Sequence, residues 1–465
     1  MNTKFKSSST FKLNLLMACT TLALTSMAQN VYAEDAVAEP EYTFLDSVKE
    51  GKPMTSFRLR YENVQQDGNG PAGTPFATKP LEDANAFTLR SLIGWQTSPF
   101  HNFSFAAQII NVTKLNDNYN DGTAFSPAIS AGSNQPDHLG YAKVVDPDQT
   151  NINQAYIDWT GLKNTKFRLG RQQTNLDNVR FIGDIGFRQV MQVFDGVSVT
   201  NKSIPDTNVY AAHFESVNQI NTRYRTAGAL DIVNAKYSIS GTEGITGYGY
   251  FSKFDDLGFG NAWFGGTTNA GRNQSNKTLG LRLDGVHPFN PNFRAAYTAE
   301  YAKQTDYSGG DSLIDAHYLK LGGGVGFDAF NIRIDQETLS SNDGKFAFQT
   351  PFGTNHLFQG WVDKFLATPR QGIKDTFVTA TYRLDDFLFF ADYHVINSDV
   401  DFAKVGGGTG DKYGKEWNVA VTYNVNSNIM TKLEYGKFTE SDQYVATANR
   451  IRDTDKLWLT AMYTF

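Results

Sequence analysis

The sequence of 465 residues contains a single cysteine, Cys19, which lies in the N-terminal segment. Disulfide bonds therefore do not stabilise the rest of the chain, and this excludes a disulfide-rich scaffold. Beyond that segment, no apolar run approaches the roughly 18 residues that a membrane-spanning helix requires, which excludes a helical membrane protein. Basic residues are also too few to favour nucleic acid as a partner, because 42 Lys and Arg stand against 48 Asp and Glu.

The first 33 residues have the pattern of a secretory signal peptide. Three lysines form a positive region, an apolar stretch covers 13–28, and Val31 and Ala33 suit a cleavage site. A lipoprotein box ending at Cys19 is the alternative, but few apolar residues precede it and the apolar run continues beyond it. We therefore expect cleavage near Ala33 and delivery of the chain to the cell envelope.

Aromatic residues are abundant, at 35 Phe, 22 Tyr and 6 Trp. Many of them lie in segments where apolar and polar residues alternate, as in 293–301 and 417–425, which is the signature of a strand with one apolar face. Stretches with helical spacing are nearly absent. The alternation predicts eighteen strands. They cover 54–63, 86–97, 102–112, 152–159, 165–173, 190–200, 207–215, 230–239, 244–255, 275–286, 292–304, 316–327, 329–340, 375–384, 386–397, 416–426, 427–438 and 456–465.

The connections between these strands alternate between long and short along the whole chain. The short ones carry turn residues, and the long ones are rich in Asn, Asp, Gly and Ser. An outer-membrane β-barrel requires this arrangement, because a sheet in lipid must close on itself to satisfy its backbone. We predict an all-β, transmembrane antiparallel up-and-down β-barrel over 54–465, preceded by a short periplasmic segment over 34–53. The long connections include 64–85, 113–151, 256–274, 341–374, 399–415 and 439–454.

Further features favour a membrane barrel over a soluble barrel, sandwich or β-propeller. Near-equal repeats of about 40 residues, which a propeller would show, are not found. Aromatic residues near strand ends suit the girdles at the membrane interfaces; they are Trp95, Trp159, Tyr301, Tyr435 and Trp458. The chain ends in an alternating segment that finishes on Phe465, which resembles the assembly signal of outer-membrane barrels. We expect outer-membrane lipid, lipopolysaccharide and the barrel assembly machinery as partners, with a monomer favoured over a trimer.

The region from about 105 to 200 resembles the alginate-export family of outer-membrane barrels. The resemblance is carried by LNDNYNDG at 115–122, VDPD at 145–148, NQAY at 153–156, LGRQ at 169–172, LDNVRFIG at 176–183, GFRQ at 186–189 and FDG at 194–196. Phe187 stands where the family more often has tryptophan. The resemblance implies an eighteen-stranded barrel that carries hydrophilic solutes, and it does not identify alginate as the solute.

A barrel of eighteen strands is wide enough to leave an aqueous lumen. Phasing the strands against the outward aromatic residues predicts that a set of charged side chains points inward as the pore lining. They are Arg58, Arg60, Arg90, Arg168, Arg282, Arg294, Arg333, Arg383, Glu62, Asp158, Asp284, Glu300, Asp335, Asp392 and Glu434. These charges either form rings that set selectivity or pair with one another to satisfy a polar lumen. The mixed signs do not decide selectivity, but arginine near the expected constriction favours anionic, uronate- or saccharide-like solutes.

The loop Thr174–Gln189 contains three large apolar residues, namely Phe181, Ile182 and Phe187. An exposed loop has no reason to contain them, whereas a loop folded into the lumen buries them. We therefore predict that this loop folds inward and forms the pore constriction. Its charged residues are Asp177, Arg180, Asp184 and Arg188.

Signals for catalysis or bound cofactors are weak. The chain has no Gly-x-Ser-x-Gly, His-Glu-x-x-His or P-loop motif, so we expect neither an enzyme nor a cofactor. The oxygen-rich segment 116–121 fails the EF-hand spacing, which favours a solvated loop over a Ca²⁺ site. Two other functions stay open: an outer-membrane lipase or protease with a site near His138 or His356, and a surface adhesin or receptor that uses the loops 113–151 and 341–374.

Overall fold

The computed structural model describes residues 42–70, 76–122, 136–220, 225–257, 263, 272–404, 406–445 and 452–465. The predicted signal peptide over 1–33 lies outside these residues. Eighteen antiparallel strands form the wall of a barrel. In chain order they are β1 (Ser56–Gln66), β2 (Ala84–Gln96), β3 (Phe103–Lys114), β4 (Gln149–Trp159), β5 (Thr165–Gln172), β6 (Val193–Asn201), β7 (Thr207–Asn218), β8 (Arg225–Ser238), β9 (Glu243–Ser252), β10 (Asn276–Asn290), β11 (Phe293–Asp306), β12 (Asp315–Phe327), β13 (Phe330–Leu339), β14 (Ile373–Leu384), β15 (Phe387–Ala403), β16 (Thr409–Asn424), β17 (Ile429–Glu440) and β18 (Thr454–Thr464).

The barrel closes because its first and last strands pair with each other. Each strand is hydrogen-bonded to its neighbours in chain order, and β1 pairs with β18 with Arg60 opposite Thr460. A closed wall satisfies the backbone of every strand within the sheet and leaves no edge in the lipid. The predicted fold class and strand number are confirmed.

Several short elements accompany the wall. They are the two-residue strands Lys52–Pro53, Ser341–Asn342 and Phe346–Ala347, the α-helices Phe44–Lys49 and Asp442–Val445, and the 3₁₀ turns Pro136–Gly140 and Asn355–Leu357. Among the described residues, no helix is both long and apolar enough to cross a membrane.

Short turns and long connections lie at opposite ends of the barrel. Only two residues, 385–386, join β14 to β15, whereas 115–148 joins β3 to β4. The start of β1 and the end of β18 lie at the short-turn end, as their pairing shows. In outer-membrane barrels the short turns face the periplasm and the long loops face outward.

Side chains along each strand alternate between an exposed outer face and a buried inner face. In β1, Leu59 is exposed whereas Arg58 and Arg60 are buried. The predicted girdle residues Trp95 and Tyr301 are on the exposed face. Large apolar side chains on the outer face provide the lipid-facing surface that a membrane barrel needs.

The assignment of Trp458 to an interfacial girdle is wrong. Trp458 is fully buried and packs in a cluster with Trp361 and Ala420 inside the barrel. Its position in β18 explains this, because it shares the inner face with the buried Lys456 and Thr460. The neighbouring Leu459 is exposed on the outer face, so the alternation along β18 itself places Trp458 on the inner face.

Glycines on the inner face of β12 make room for arginines of the neighbouring strands. A Cβ atom at Gly324 would meet the side chain of Arg333, and one at Gly326 would meet the side chain of Arg294. A larger residue at Gly326 would displace the guanidinium of Arg294, and one at Gly324 would press on the backbone of β13. The glycine-rich run of β12 therefore sets the space in this part of the lumen.

Candidate pore and its inner loops

Two long connections fold against the inner wall. The first inner loop is 173–192, between β5 and β6, and contains the predicted constriction. The second inner loop is 340–372, between β13 and β14. Phe181 and Ile182 of the first loop and Phe348 of the second loop are buried in one apolar cluster with inward residues of the wall, such as Tyr318. This cluster fills part of the interior that a simple aqueous lumen would leave open.

Arginines of β1 hold the first inner loop against the wall. The guanidinium of Arg58 donates to the side-chain oxygen of Gln189 at 2.9 Å, to the carbonyl of Gly186 at 2.8 Å and to the carbonyl of Arg188. Arg60 donates to the carbonyl of Phe187 at 2.5 Å, and its guanidinium lies 4.3 Å from the centre of the Phe187 ring. Three successive loop carbonyls thus receive their donors from two wall arginines.

Arg188 connects the first inner loop to both the wall and the second inner loop. Its guanidinium lies 3.0 Å from a carboxylate oxygen of Glu62 on β1 and 2.9 Å from Asp363 of the second loop. Lys456 of β18 lies 3.1 Å from the same oxygen of Asp363. All four side chains are almost fully buried. Two cations and two carboxylates therefore form one buried network.

Arg180 makes a second connection at the far side of the first inner loop. Its Nε lies 2.9 Å from Glu337 on β13, and both side chains are about 1% exposed. The same guanidinium donates to Asn355 at 3.1 Å and to Gln359 at 3.0 Å, both in the second loop. The strands β1 and β13 are six steps apart around the closed barrel. The first inner loop therefore reaches two well-separated parts of the wall.

The two inner loops also bond directly through their backbones. The amide of Gly183 donates to the carbonyl of Phe352 at 2.8 Å, and the amide of Thr354 donates to the carbonyl of Val179 at 2.9 Å. Val179 has a φ of +59°, which is rare for a β-branched residue. Such a conformation persists only where surrounding contacts impose it, and segments of this kind concentrate at functional sites.

Asp177 and Asp184 have local roles in the first inner loop. Asp177 accepts a hydrogen bond from Asn234 of β8 at 2.7 Å, and burial raises the pKa of its carboxyl. Asp184 accepts from the amide of Gly186 at 2.9 Å and from Gln173 at 3.2 Å. Of the four charged residues of the predicted constriction, Asp177 and Asp184 thus accept hydrogen bonds from β8 and from their own loop. Arg180 and Arg188 form ion pairs with the wall and the second inner loop.

Most other predicted pore-lining charges pair with one another. The pairs are Arg168 with Asp158 at 2.6 Å, Arg282 with Asp284 at 2.8 Å and with Glu300 at 3.5 Å, and Arg333 with Asp335 at 2.5 Å. Asp392 lies 3.3 Å from His394, and Glu434 lies 2.6 Å from Lys432. Paired charges in a polar interior satisfy each other whether or not they also face a passing solute.

Three predicted lining arginines have other surroundings. Arg90 is buried opposite Arg58 in the β1–β2 register, and its Nε and one terminal nitrogen have no hydrogen-bond partner among the described residues. Arg294 donates to Asn331 at 2.6 Å, whereas Arg383 is exposed near the periplasmic end of β14. Only the first of these lies beside an inner loop.

Phe465, the predicted assembly signal, is 59% exposed at the end of the chain. Its ring lies 4.8 Å from that of Tyr463 and 6.3 Å from that of Phe57. The residue is therefore on the outer surface at the periplasmic end and belongs to no buried cluster.

Sequence reasoning missed the second inner loop, which was counted among the outer loops. The criterion that identified the first loop would have found it, because the segment 346–365 contains six large aromatic residues. They are Phe346, Phe348, Phe352, Phe358, Trp361 and Phe365. Nδ1 of His356 in this loop donates to a carboxylate oxygen of Asp363 at 2.8 Å, and the imidazole stacks on the Phe187 ring. Burial lowers the pKa of His356, while Lys456 and His356 hold the pKa of Asp363 well below its usual range.

The oxygen-rich segment 116–121 already has a cation. The ammonium group of Lys114 lies 3.0 Å from Asp117 and 3.4 Å from Asp121. Among the described residues, no group of three His, Cys, Asp or Glu side chains is placed to hold a metal ion.

The motifs that carried the family resemblance meet in space. Gly170 stands opposite Gly196 between β5 and β6, and the next pair is Arg171 with Asp195 at 2.7 Å. A Cβ atom at Gly170, whose φ is +128°, would collide with the backbone of β4. The glycine at position 170 is thus explained by the close approach of the β4 backbone, and Arg171 and Asp195 are explained by their ion pair.

The family model for alginate export matches residues 55–359, more than half of the chain. The chain belongs to the alginate export family. Membership and the closed barrel make it a channel of the outer membrane rather than an enzyme. No curated protein sequence matches the chain significantly.

Solved outer-membrane porins share the fold. OpdQ of Pseudomonas aeruginosa superposes with a TM-score of 0.60 at 15% identity, covering 90% of this chain and 99% of its own. OccAB4 of Acinetobacter baumannii gives 0.62 at 13% identity, covering 89% and 97%. OpdK of P. aeruginosa, solved with vanillate, gives 0.60 at 13% identity, covering 90% and 98%. At these identities the likeness establishes the barrel fold and nothing about the solute.

Proposed function

We propose that the channel carries hydrophilic anionic solutes of uronate or saccharide type, and that the first inner loop forms its constriction. The observation that supports this most directly is the reach of that loop. It contacts Glu62 on β1 through Arg188 and Glu337 on β13 through Arg180. A segment tied to two wall positions six strands apart narrows the bore between them.

Charge near the loop supports an anionic solute. Arg58 and Arg90 are register partners, Arg60 follows two residues later, and Arg188 comes from the loop onto the same patch of wall. Carboxylates lie beside the same patch, among them Glu62 and Asp146, and they offset part of its positive charge. A positive potential in a narrow and partly desolvated passage acts more strongly on a passing ion than the same charges would in bulk water.

The test is a planar-bilayer measurement on the double variant Arg180→Ala/Arg188→Ala. The variant leaves Glu337, Glu62 and Asp363 without their arginines. We expect higher single-channel conductance, because the loop loses two of its attachments and keeps only those to Arg58 and Arg60 among the arginine contacts described above. We also expect a reversal potential shifted toward cations, because the carboxylates Glu337, Glu62 and Asp363 lose their arginines.

The matched control is the variant Arg171→Ala/Lys277→Ala. It removes two cations on the outer face of the strands, which touch neither inner loop. The control should keep the conductance and reversal potential of the wild type. If the arginine double variant behaves like the control, the constriction lies elsewhere. If the wild-type barrel prefers cations, the anionic solute class is wrong.

A further inference from the structure

A recess of about 390 Å³ lies in the inner wall on the periplasmic side of the first inner loop. Its wall is formed by inward residues of β5 to β8, and its upper boundary is the segment Thr174–Asp177. Its volume is within the range typical of small-molecule sites. The recess is separate from the arginine patch on β1 and β2 described above.

Two lysines face this recess without an ion-pair partner. Lys166 on β5 and Lys236 on β8 both line it, and neither has a carboxylate within ion-pair distance in the described part of the chain. Elsewhere in the lumen, Lys432, Arg282 and Arg333 each have an adjacent acid. Arg168 and Asp177 also line the recess; Arg168 pairs with Asp158, so the two lysines and one carboxylate leave a net positive charge, which suits an anionic ligand.

The lysines stand at opposite edges of the recess. Lys166 pairs in register with Thr200, Thr200 with Tyr210, and Tyr210 with Asn234, which places Lys236 three strands away from Lys166. Three strand spacings amount to about 14 Å between the backbones. The two ammonium groups therefore approach the recess from opposite sides, and a ligand with a carboxylate at each end matches this arrangement.

The space between the lysines is lined by hydroxyl, amide and aromatic groups. The side-chain oxygen of Asn208 is buried and has no hydrogen-bond partner among the described residues. A buried acceptor of this kind lacks a donor, which a ligand hydroxyl would supply. Thr200 and Asn234 present further polar groups, and the ring of Tyr210 gives an apolar face for the carbon skeleton.

We propose that the recess binds a hydroxylated dicarboxylate, that is, a short sugar diacid with one carboxylate at Lys166 and the other at Lys236. Its hydroxyl groups bond to Asn208 and its neighbours. The proposal deepens the proposed function by naming a binding site and ligand class on the periplasmic side of the constriction. It rests on an anion-carrying channel.

The ligand test uses calorimetric titration of the full barrel in detergent with three probes. Glucarate has two carboxylates and hydroxyl groups, gluconate has one carboxylate with hydroxyl groups, and adipate has two carboxylates and no hydroxyl group. We expect glucarate to bind about tenfold more tightly than either of the others, since each lacks one set of contacts. Equal binding of all three, or no binding of glucarate, would overturn the proposal.

Variants at the two lysines assign the contacts. Lys166→Gln and Lys236→Gln should each weaken glucarate binding about tenfold. Each variant should then bind glucarate and gluconate with nearly equal affinity. The control Lys202→Gln removes an exposed lysine on the nearby β6–β7 turn and should leave binding unchanged. Equal losses in the control and the recess variants would show a general charge effect and refute the site.

Conductance separates this proposal from the proposed function. Reversal potentials in a KCl gradient report the channel and its ion preference without the diacid. A barrel that conducts anions but binds glucarate no better than adipate refutes only the recess. A barrel that binds glucarate through both lysines yet prefers cations supports the recess and refutes the anionic-channel proposal.

Discussion

Replacing Arg188 by Ala should release the first inner loop. The guanidinium of Arg188 contacts both the wall, at Glu62, and the second inner loop, at Asp363. The substitution removes both contacts and leaves the loop attached mainly through Arg58, Arg60 and Arg180. We expect larger mean conductance and more frequent transitions between current levels.

The magnitude follows from what the substitution leaves behind. Asp363 keeps Lys456 at 3.1 Å and His356 at 2.8 Å, so its charge remains compensated. Among the described residues, Glu62 keeps Lys456 at 4.0 Å as its one ion-pair partner, with Arg60 nearby, and becomes a poorly compensated buried carboxylate. Removing one partner of a buried ion pair costs about 3–5 kcal/mol, and the remaining cation favours the lower end. About 3 kcal/mol lowers the ratio of docked to released loop roughly 100-fold.

The assay is single-channel recording in planar bilayers, with amplitude histograms and dwell times for the wild type and the variant. The control Arg171→Ala removes a largely buried pair with Asp195 that lies in the β5–β6 register and touches neither inner loop. Asp195 keeps the hydrogen bonds that it accepts from Ser216 and Asn218, and both inner loops keep their contacts with the wall. The current levels of this control should match those of the wild type.

A second substitution tests the electrostatic cause. Adding Glu62→Gln to the Arg188→Ala variant removes the carboxylate that was left without its close partner. Part of the docking should return, because the two effects are coupled and not additive. The reasoning is refuted if Arg188→Ala records like Arg171→Ala, or if Glu62→Gln worsens the released state.

Three further predictions concern acidity, assembly and backbone fit. Burial lowers the pKa of His356 from its ordinary value of 6.5, so a released second loop takes up a proton below that pH while the docked loop does not. Docking should therefore weaken as the pH falls from about 7 to about 5, with current noise that rises in the wild type and stays flat in His356→Gln. Deleting Phe465, which is exposed and outside every buried cluster, should reduce assembly into the outer membrane in cells but leave refolding in detergent unchanged; equal surface levels would contradict the signal role. Gly170→Ala should destabilise the barrel by about 1–3 kcal/mol through its positive φ and its contact with β4, seen as a lower melting temperature, whereas Gly241→Ala, which has open space, should not.

The wall was predictable because its physics is local. A strand in a lipid-facing barrel alternates apolar and polar residues every second position, so eighteen segments could be recognised one at a time. Loop lengths then assigned the two ends. Phasing failed at Trp458, where an inward aromatic residue packs on other aromatic residues instead of on lipid. Lys456 lies two positions earlier in the same strand, and a lysine belongs on the polar inner face, which indicates that Trp458 faces inward as well.

The interior was predictable only in part because its contacts join distant segments. The apolar content of 174–189 indicated that this loop buries residues, but nothing local to it identifies Asp363 or Glu337 as partners of its arginines. Asp363 lies in the second inner loop and Glu337 on the wall strand β13, and both are more than 150 positions along the chain from the arginine that they bind. A lumen filled by an aromatic cluster is likewise invisible in single strands, because each strand contributes only one or two of its residues.

The arginines of β1 show why charge counts alone did not decide between selectivity and structure. The first inner loop has no regular secondary structure, so the carbonyls of residues 186–188 have no partner in a sheet and need other donors. Arg58 and Arg60 provide the missing donors. A guanidinium that bonds to neutral carbonyls has no carboxylate in contact to offset its field, unlike one that forms an ion pair. In the proposed anion channel, the same two residues would therefore fix the loop in place and also add positive potential to the passage beside it, more than an arginine bound to Glu337 or Asp363 would.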